Sequence, residues 1–334
     1  MISGFWKKLK KPIFAIAPMS NVTDQAFRLL IAKYGKPDVM WTEFVSCDGL
    51  QSEGRKKLLI DLKYDKSERP IVAQIFGSNP ENCYKTALLI DELGFDGIDI
   101  NMGCPDRNVE KQGAGSAMIK NPKLAQQVIL ETIRGAGKMP VSVKTRIGYT
   151  KNELKTWLPY ILETGPAAVT IHARTRKEMS KVPARWEHVA EAVTIRDNFD
   201  SSKNKTLILG NGDIKDIVDG YEKAKQTGAD GVMIGRGIFG NPWCFSDIDN
   251  LRKGKKIKTE ISVEKRLKAM IEHAEYFEKI LGKEKNFEIM KKHFKAYANG
   301  FDGAKELRIR LMTESENSKE VKKIVQEFLK KIPT

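Results

Sequence analysis

Cysteine is scarce in this chain of 334 residues: Cys47, Cys83, Cys104 and Cys244 are the only four. They lie 36, 21 and 140 positions apart, too far for a zinc knuckle or a redox Cys-x-x-Cys pair, and no metal site is expected. Two disulfides would be a thin framework for a chain of this length. Long apolar runs are missing as well. No stretch approaches the ~18 residues that a membrane span needs. No secretory h-region opens the chain, and the basic amphipathic segment from Phe5 to Lys11 is short. The expectation is a reduced cytoplasmic protein without membrane contact, acting as a monomer. Also absent is a Gly-x-Gly-x-x-Gly after the first apolar run, where a dinucleotide-binding sheet would place its phosphate loop.

Positive charge is abundant. Lys and Arg number 58 against 43 Asp and Glu, a net of +15. The 41% apolar content is enough to bury a sizeable core, which excludes global disorder. A surplus of this size points to a polyanionic partner, either nucleic acid or an anionic membrane. Charge alone does not choose between them, and many basic proteins bind neither.

Short runs rich in Ile and Val begin near Ile13, Val39, Ile71, Gly97, Val141, Ala168, Thr206 and Gly231. Their nearly continuous apolar character suits parallel strands buried on both faces. Helical punctuation separates them. Thr23, Asn79-Pro80 and Asn121-Pro122 can start helices, and Gly94, Gly165 and Gly228 can end them. Eight such units in roughly 240 residues match a (β/α)8 barrel, also called a TIM barrel. The alternative, a doubly wound sheet, fits less well, because polar residues cluster just after the strands: Gln74, Asn101, Lys144, Arg146, His172, Asn211 and Asp213. A barrel places its active site there.

Composition changes near residue 250. Residues 252–258 read as an exposed linker, and helical periods without strands follow. Val263, Leu267, Met270, Ile271, Ala274, Phe277 and Leu281 share one helix face. The expected organisation is a catalytic barrel over 1–250 and a small α-helical domain over 251–334. The latter holds 22 Lys and Arg against 13 Asp and Glu, a net of +9, which leaves +6 on the longer barrel.

Three constellations carry chemistry. Gly210-Asn211-Gly212-Asp213 and Gly235-Arg236-Gly237 end the last two strands, where glycines let backbone N–H groups approach a phosphate and Arg236 adds a charged fork. Cys104 sits on the turn Gly103-Cys104-Pro105. Without a neighbouring histidine to activate it as a nucleophile, general acid is its better role. Lys144, Arg146 and His172 end strands on one rim and suit an anionic cofactor.

These residues resemble the tRNA-dihydrouridine synthases, flavoproteins that reduce the C5–C6 double bond of uridines. The resemblance runs from about Phe14 to Leu311. It rests on Ala-Pro-Met (17–19), Thr-Glu (42–43), Gln-Ile-Phe-Gly (74–77), Asp-Ile-Asn-Met-Gly-Cys-Pro (99–105) and Gly-Ala-Gly-Ser-Ala (113–117). It continues through Val-Lys-Thr-Arg-Ile-Gly (143–148), His-Ala-Arg-Thr (172–175), Gly-Asn-Gly-Asp (210–213) and Gly-Arg-Gly (235–237). The resemblance implies FMN as cofactor, with Pro18 and Met19 lining its ring, Gln74 and Lys144 on its polar edge, and His172 packed nearby. Asn211, Gly212, Asp213, Gly235 and Arg236 would hold the ribityl chain and phosphate. Cys104 would protonate uracil C5 as hydride reaches C6, and Asn101 would orient the flipped base. NADPH would supply electrons at the same mouth, and tRNA would be the partner. Arg146, Arg174, Lys181, Lys291 and Lys292 are the remaining candidates for substrate contact, with Lys295, Arg308 and Arg310 as further phosphate contacts.

The chain departs from the family pattern after the sixth strand. There Val182 and Arg185 replace an expected glycine and acid, and residues 196–205 look like a polar surface insertion. A dihydrouridine synthase acting on another RNA such as rRNA, a flavin barrel for a small pyrimidine, and an RNA-binding protein without catalysis are the competing readings.

Overall fold

A computed structural model describes residues 4–200, 205–257 and 260–331. Among the described residues there are eight strands: β1 (Ile13–Ile16), β2 (Met40–Ser46), β3 (Ile71–Phe76), β4 (Gly97–Met102), β5 (Val141–Arg146), β6 (Ala168–His172), β7 (Leu207–Asn211) and β8 (Gly231–Ile234). The helices between them are α1 (Gln25–Tyr34), α2 (Cys47–Leu50), α3 (Arg55–Leu58), α4 (Pro80–Glu92), α5 (Arg107–Lys111), α6 (Pro122–Ala136), α7 (Leu154–Leu162), α8 (Glu187–Phe199) and α9 (Ile217–Thr227). After β8 come α10 (Ile248–Arg252), α11 (Val263–Leu281), α12 (Met290–Tyr297), α13 (Ala304–Glu314) and α14 (Ser318–Leu329).

All neighbouring strands pair in parallel, in the order β1-β8-β7-β6-β5-β4-β3-β2. A parallel bridge between Ala15 and Val39 brings β1 to the start of β2 and closes the ring. This is a (β/α)8 barrel with a helical C-terminal region, as the spacing of the apolar runs implies.

The strand period of two sorts side chains into two layers. Phe14, Ile16, Ile98, Ile100, Val143, Val169 and Val232 belong to the outer core shared with the helices. Ile13, Ala15, Trp41, Val72, Ala168, Leu207, Leu209 and Met233 form a second cluster, the barrel interior, with Trp6 from the N-terminal turn packed against Trp41. One step further along the same inward rows stand Gln74, Asp99, Asn101, Lys144, Thr170, His172 and Asn211. Registered neighbours pair Gln74 with Asp99, Asn101 with Lys144, and His172 with Asn211. The barrel is therefore apolar at its base and polar at its mouth.

The helical region is continuous with the barrel core. Helix α11 packs on α1, where Phe27 stacks on His273 at 4.9 Å between ring centroids. The apolar face expected over Val263–Leu281 is the buried face of α11.

Three local expectations are corrected. Asp24, not Thr23, caps α1, its carboxylate accepting from the Phe27 amide at 3.0 Å. The Thr23 hydroxyl instead accepts from the Met19 amide at 2.9 Å. Arg252 does not open an exposed linker but ends α10, where Asp38 lies 2.5 Å away and the Pro12 carbonyl 2.8 Å. Arg196 is no surface residue either. It is buried in α8 and paired with Asp230 at 2.7 Å, because a buried guanidinium needs its charge met. Lys258 and residues 201–204, which belonged to the expected linker and insertion, lie outside the described residues.

Candidate active site

The polar ends of the inward rows open into a cavity of about 250 Å³ at the C-terminal face of the barrel. Pro18, Met19, Gln74, Lys144, His172, Asn211, Gly212, Asp213, Gly235 and Arg236 all line it, as do Cys104, Asn101, Arg146 and Arg174. Fourteen positions spread over 219 residues of sequence thus meet at one mouth, because each lies in the C-terminal half of a parallel strand of one barrel or in the loop after it. Lys181, Lys291 and Lys292 are not among the lining residues. Lys181 and Lys292 are exposed, and Lys291 is engaged by Glu288 at 2.5 Å.

The turn that carries Cys104 is fixed by its backbone. The Asn101 side-chain oxygen Oδ1 accepts from the backbone amides of Gly103 (3.1 Å) and Cys104 (2.9 Å), while its NH2 donates to the Gln74 side-chain oxygen at 3.1 Å. The Cys104 carbonyl accepts from the Ser116 amide (3.0 Å) and hydroxyl (2.8 Å). Gly115 adopts φ +60°, and a Cβ there would stand 2.7 Å from that same carbonyl, so only glycine fits. Burial pushes the Cys104 thiol up from its ordinary value, against the opposing pull of the nearby Asp106 amide, Arg146 and Lys144. A thiol so placed keeps its proton at neutral pH.

Behind it, Asp99 is buried and accepts from the Gln74 amide (2.7 Å) and the Ser142 hydroxyl (2.6 Å). Burial raises its carboxyl to about 6, even with both hydrogen bonds opposing. Gln74 is thereby locked: its NH2 faces Asp99 and its oxygen accepts from Asn101. Lys144 forms no ion pair among the described residues. Enclosure away from water, with Arg146 beside it, lowers its ammonium to about 8. His172 is pushed well below its ordinary value by burial and by Lys144, Arg146, Arg174 and Arg236 around it. Arg174 Nη1 stands 3.3 Å from His172 Nε2. A guanidinium only donates, so Nε2 accepts and the ring proton sits on Nδ1.

The β7 and β8 loops form the other wall. Asp213, at φ 49°, meets Arg174 through one oxygen and Arg236 through the other at 2.6 Å. Trp186 donates its indole N–H to the Gly212 carbonyl at 2.9 Å and fills the space over Gly210, where a Cβ would lie 2.2 Å from the ring. Gly235 leaves room: a Cβ there would stand 3.6 Å from both Ala17 and Met19, among the cavity walls.

Two of the cations expected to meet substrate are already committed. Arg146 donates to the carbonyls of Gly103 (2.7 Å), Thr175 (3.1 Å) and Met179 (3.0 Å), and Arg174 to Val182 at 2.6 Å as well as to Asp213. They brace the loops after β4 and β6. Arg308 and Arg310 are similarly engaged, by the Ala298 carbonyl and by Glu314 and Glu327.

The pattern of the dihydrouridine synthase family matches residues 15–333. The chain belongs to the dihydrouridine synthase family. It is 40% identical to a Bacillus subtilis (strain 168) protein named "Probable tRNA-dihydrouridine synthase 2" over 99% of this chain and 98% of that one. It is also 40% identical to a Staphylococcus aureus (strain MRSA252) protein named "Probable tRNA-dihydrouridine synthase", over 98% and 96%. Among solved structures, morphinone reductase superposes with a TM-score of 0.50 at 12% identity, covering 76% of this chain and 88% of its own. That likeness concerns the barrel fold. As a dihydrouridine synthase family member, the chain is an oxidoreductase.

Sequence reasoning passed over Asp99, Phe44 and Ser180, which belong to the mouth or its support. Asp99 had a signal, a carboxylate inside the apolar run Gly-Ile-Asp-Ile-Asn. Phe44 had none, since an aromatic residue in a strand is ordinarily core. Among the described residues there is no cluster of three or more metal-ligating side chains, and no helix is long and apolar enough to cross a membrane.

Proposed function

We propose that this chain reduces uridine in tRNA to 5,6-dihydrouridine, with FMN as cofactor and NADPH as electron donor. One observation carries the reading: a thiol whose pKa burial raises, a lysine with no ion pair among the described residues and a glycine-flanked arginine share one cavity. The residues fit an anionic flavin. Space over Gly235 beside the guanidinium of Arg236, which is 65% exposed, suits a phosphate. The carboxylate of Asp213 would repel that phosphate were it bare. Paired with Arg174 and Arg236, it aims Arg236 instead.

Bound FMN supplies a hydride to uracil C6. Cys104 delivers the proton to C5, and its raised pKa keeps that proton available until it is needed. Lys144 and Gln74 would hold the polar edge of the flavin ring, where the ammonium would offset negative charge. Pro18 and Met19 would flank the ring, and neutral His172 would pack beside it without adding charge. Asn211, Gly212 and Gly235 leave the ribityl and phosphate groups room. Asn101 holds the Cys104 turn and Gln74, and in our reading it sets the acid as much as the base. Arg146 and Arg174 act by bracing loops, with Lys181 on the outer rim.

The tRNA assignment is supported by the names of the relatives and by the +9 carried on residues 251–334. We read 1–250 as the catalytic barrel and 251–334 as the region that holds RNA phosphates. The test is direct. Purified protein with FMN, NADPH and tRNA lacking dihydrouridine should form it, detected by mass spectrometry of the digested RNA. Formation only in rRNA or only on free pyrimidine would replace the substrate. Failure to bind FMN would overturn the reading.

A further inference from the structure

One polar cluster lies outside the chemistry described so far and joins the two ends of the sequence. Lys285 follows α11, its amide donating to the Leu281 carbonyl at 2.8 Å. Its ammonium leaves the helical region and reaches Glu43 on β2 (2.8 Å) and Asp61 (2.6 Å), with only 12% of the side chain exposed. Glu43 is buried, and its second oxygen accepts from the Asn21 amide at 2.5 Å. Asn21 stands at φ 54°, a left-handed conformation that a non-glycine residue holds only when its surroundings enforce it. It belongs to the loop from Pro18 to Thr23, tied on its other side by the Thr23 contacts with Met19. Pro18 and Met19 line the cavity.

We propose that Lys285 is a positioning residue for the cofactor: through Glu43 and Asn21 it fixes the loop that presents Pro18 and Met19 to the flavin. The inference rests on the flavin reading above. The buried carboxylate is what links the parts. With Lys285 removed, Glu43 would stand uncompensated beside Asp61 and buried Asp24, whose Oδ2 has no hydrogen-bond partner. It would then take up a proton or turn toward water, and either change disturbs its hold on Asn21. A residue within the region read as holding RNA would thus set the geometry of the hydride donor. Docking and chemistry would share one ion pair.

The test compares full-length wild type, Lys285→Met, Lys285→Arg, Glu43→Gln and the double variant Lys285→Met/Glu43→Gln by fluorescence titration with FMN, after matching their melting curves. Lys285→Met should weaken FMN binding about tenfold. Lys285→Arg should restore binding to near the wild-type value. Glu43→Gln keeps an acceptor for Asn21 and should stay within about twofold, and adding it to Lys285→Met should recover most of the loss, since no stranded charge remains on that side. If Lys285 only pins the helical region in place, Glu43→Gln rescues nothing, and that result overturns the proposal. Equal FMN affinity for wild type and Lys285→Met also overturns it. Should Lys285→Met not fold, a tenfold loss in Glu43→Gln or in Lys285→Arg would do so. A wild type that binds no FMN instead defeats the flavin reading itself.

Discussion

The barrel mouth and the helical region are both basic, yet their charges behave differently. At the mouth, Lys144, Arg146 and Arg174 are enclosed, and enclosure lowers Lys144 to about 8 and Arg146 to about 10. In the helical region, Lys292 and Lys295 stand exposed and form no ion pair among the described residues. Water screens an exposed cation, so it contributes a small, additive, salt-sensitive pull on a polyanion. An enclosed cation is not screened, and each neighbour changes its protonation. Net charge counts both kinds alike. Under the proposed function, charge at the mouth would serve chemistry and charge on the helical surface would serve docking.

The sharpest way to break that division is to remove the acid. Cys104→Ala should lower the rate of dihydrouridine formation by roughly 10²–10⁴ while FMN and RNA affinities stay unchanged, because general acid catalysis contributes about that factor. The side chain is half-buried on a turn held by backbone contacts, so the fold should tolerate the change. Unchanged turnover would remove Cys104 from the mechanism.

A pH series separates the two regions more finely. Only the charged form of Lys144 attracts an anionic cofactor, and its pKa before binding is about 8. FMN affinity should therefore be flat below pH 8 and weaken by up to about tenfold per pH unit above it. Lys144→Arg stays charged and should flatten that limb. A break that persists in Lys144→Arg would assign it to another group.

Much of this arrangement is legible in the sequence, for physical reasons. Parallel strands buried on both faces leave continuous apolar runs, so all eight starts are readable to within a residue from Ile13, Ile71, Gly97 and their like. Polar side chains that end such runs must face a cavity, which exposes Gln74, Asn101, Lys144 and His172. What stays hidden depends on partners far along the chain. Arg196 reads as surface until Asp230 is placed beside it, and Lys285 lies 242 positions from Glu43. Thr23 and Asp24 are equally good caps by type, and only the fold of the Met19 turn assigns them. His293 directly follows Lys291 and Lys292. It shares its helix face with Met290, Phe294 and Tyr297, however, and is buried against Phe27.

That burial decides how the docking surface should be tested. Removing residues 251–334 would strip α11 from α1 and uncover Phe27, so lost RNA binding could reflect a damaged barrel. Neutralising exposed charge avoids the ambiguity. Lys292→Gln with Lys295→Gln should leave melting temperature and FMN affinity unchanged and reduce the slope of log affinity against log salt by about 0.7–0.9 for each lysine that meets a phosphate. Lys291→Gln should do less, since Glu288 already holds that ammonium in the free protein and the lysine must be released before it can bind RNA. The ordering matters more than the magnitudes. Equal effects for Lys291 and Lys292 would mean that the ion pair opens freely in solution. An unchanged salt slope in the double variant would move RNA docking off α12 altogether, toward the barrel rim where Lys181 stands.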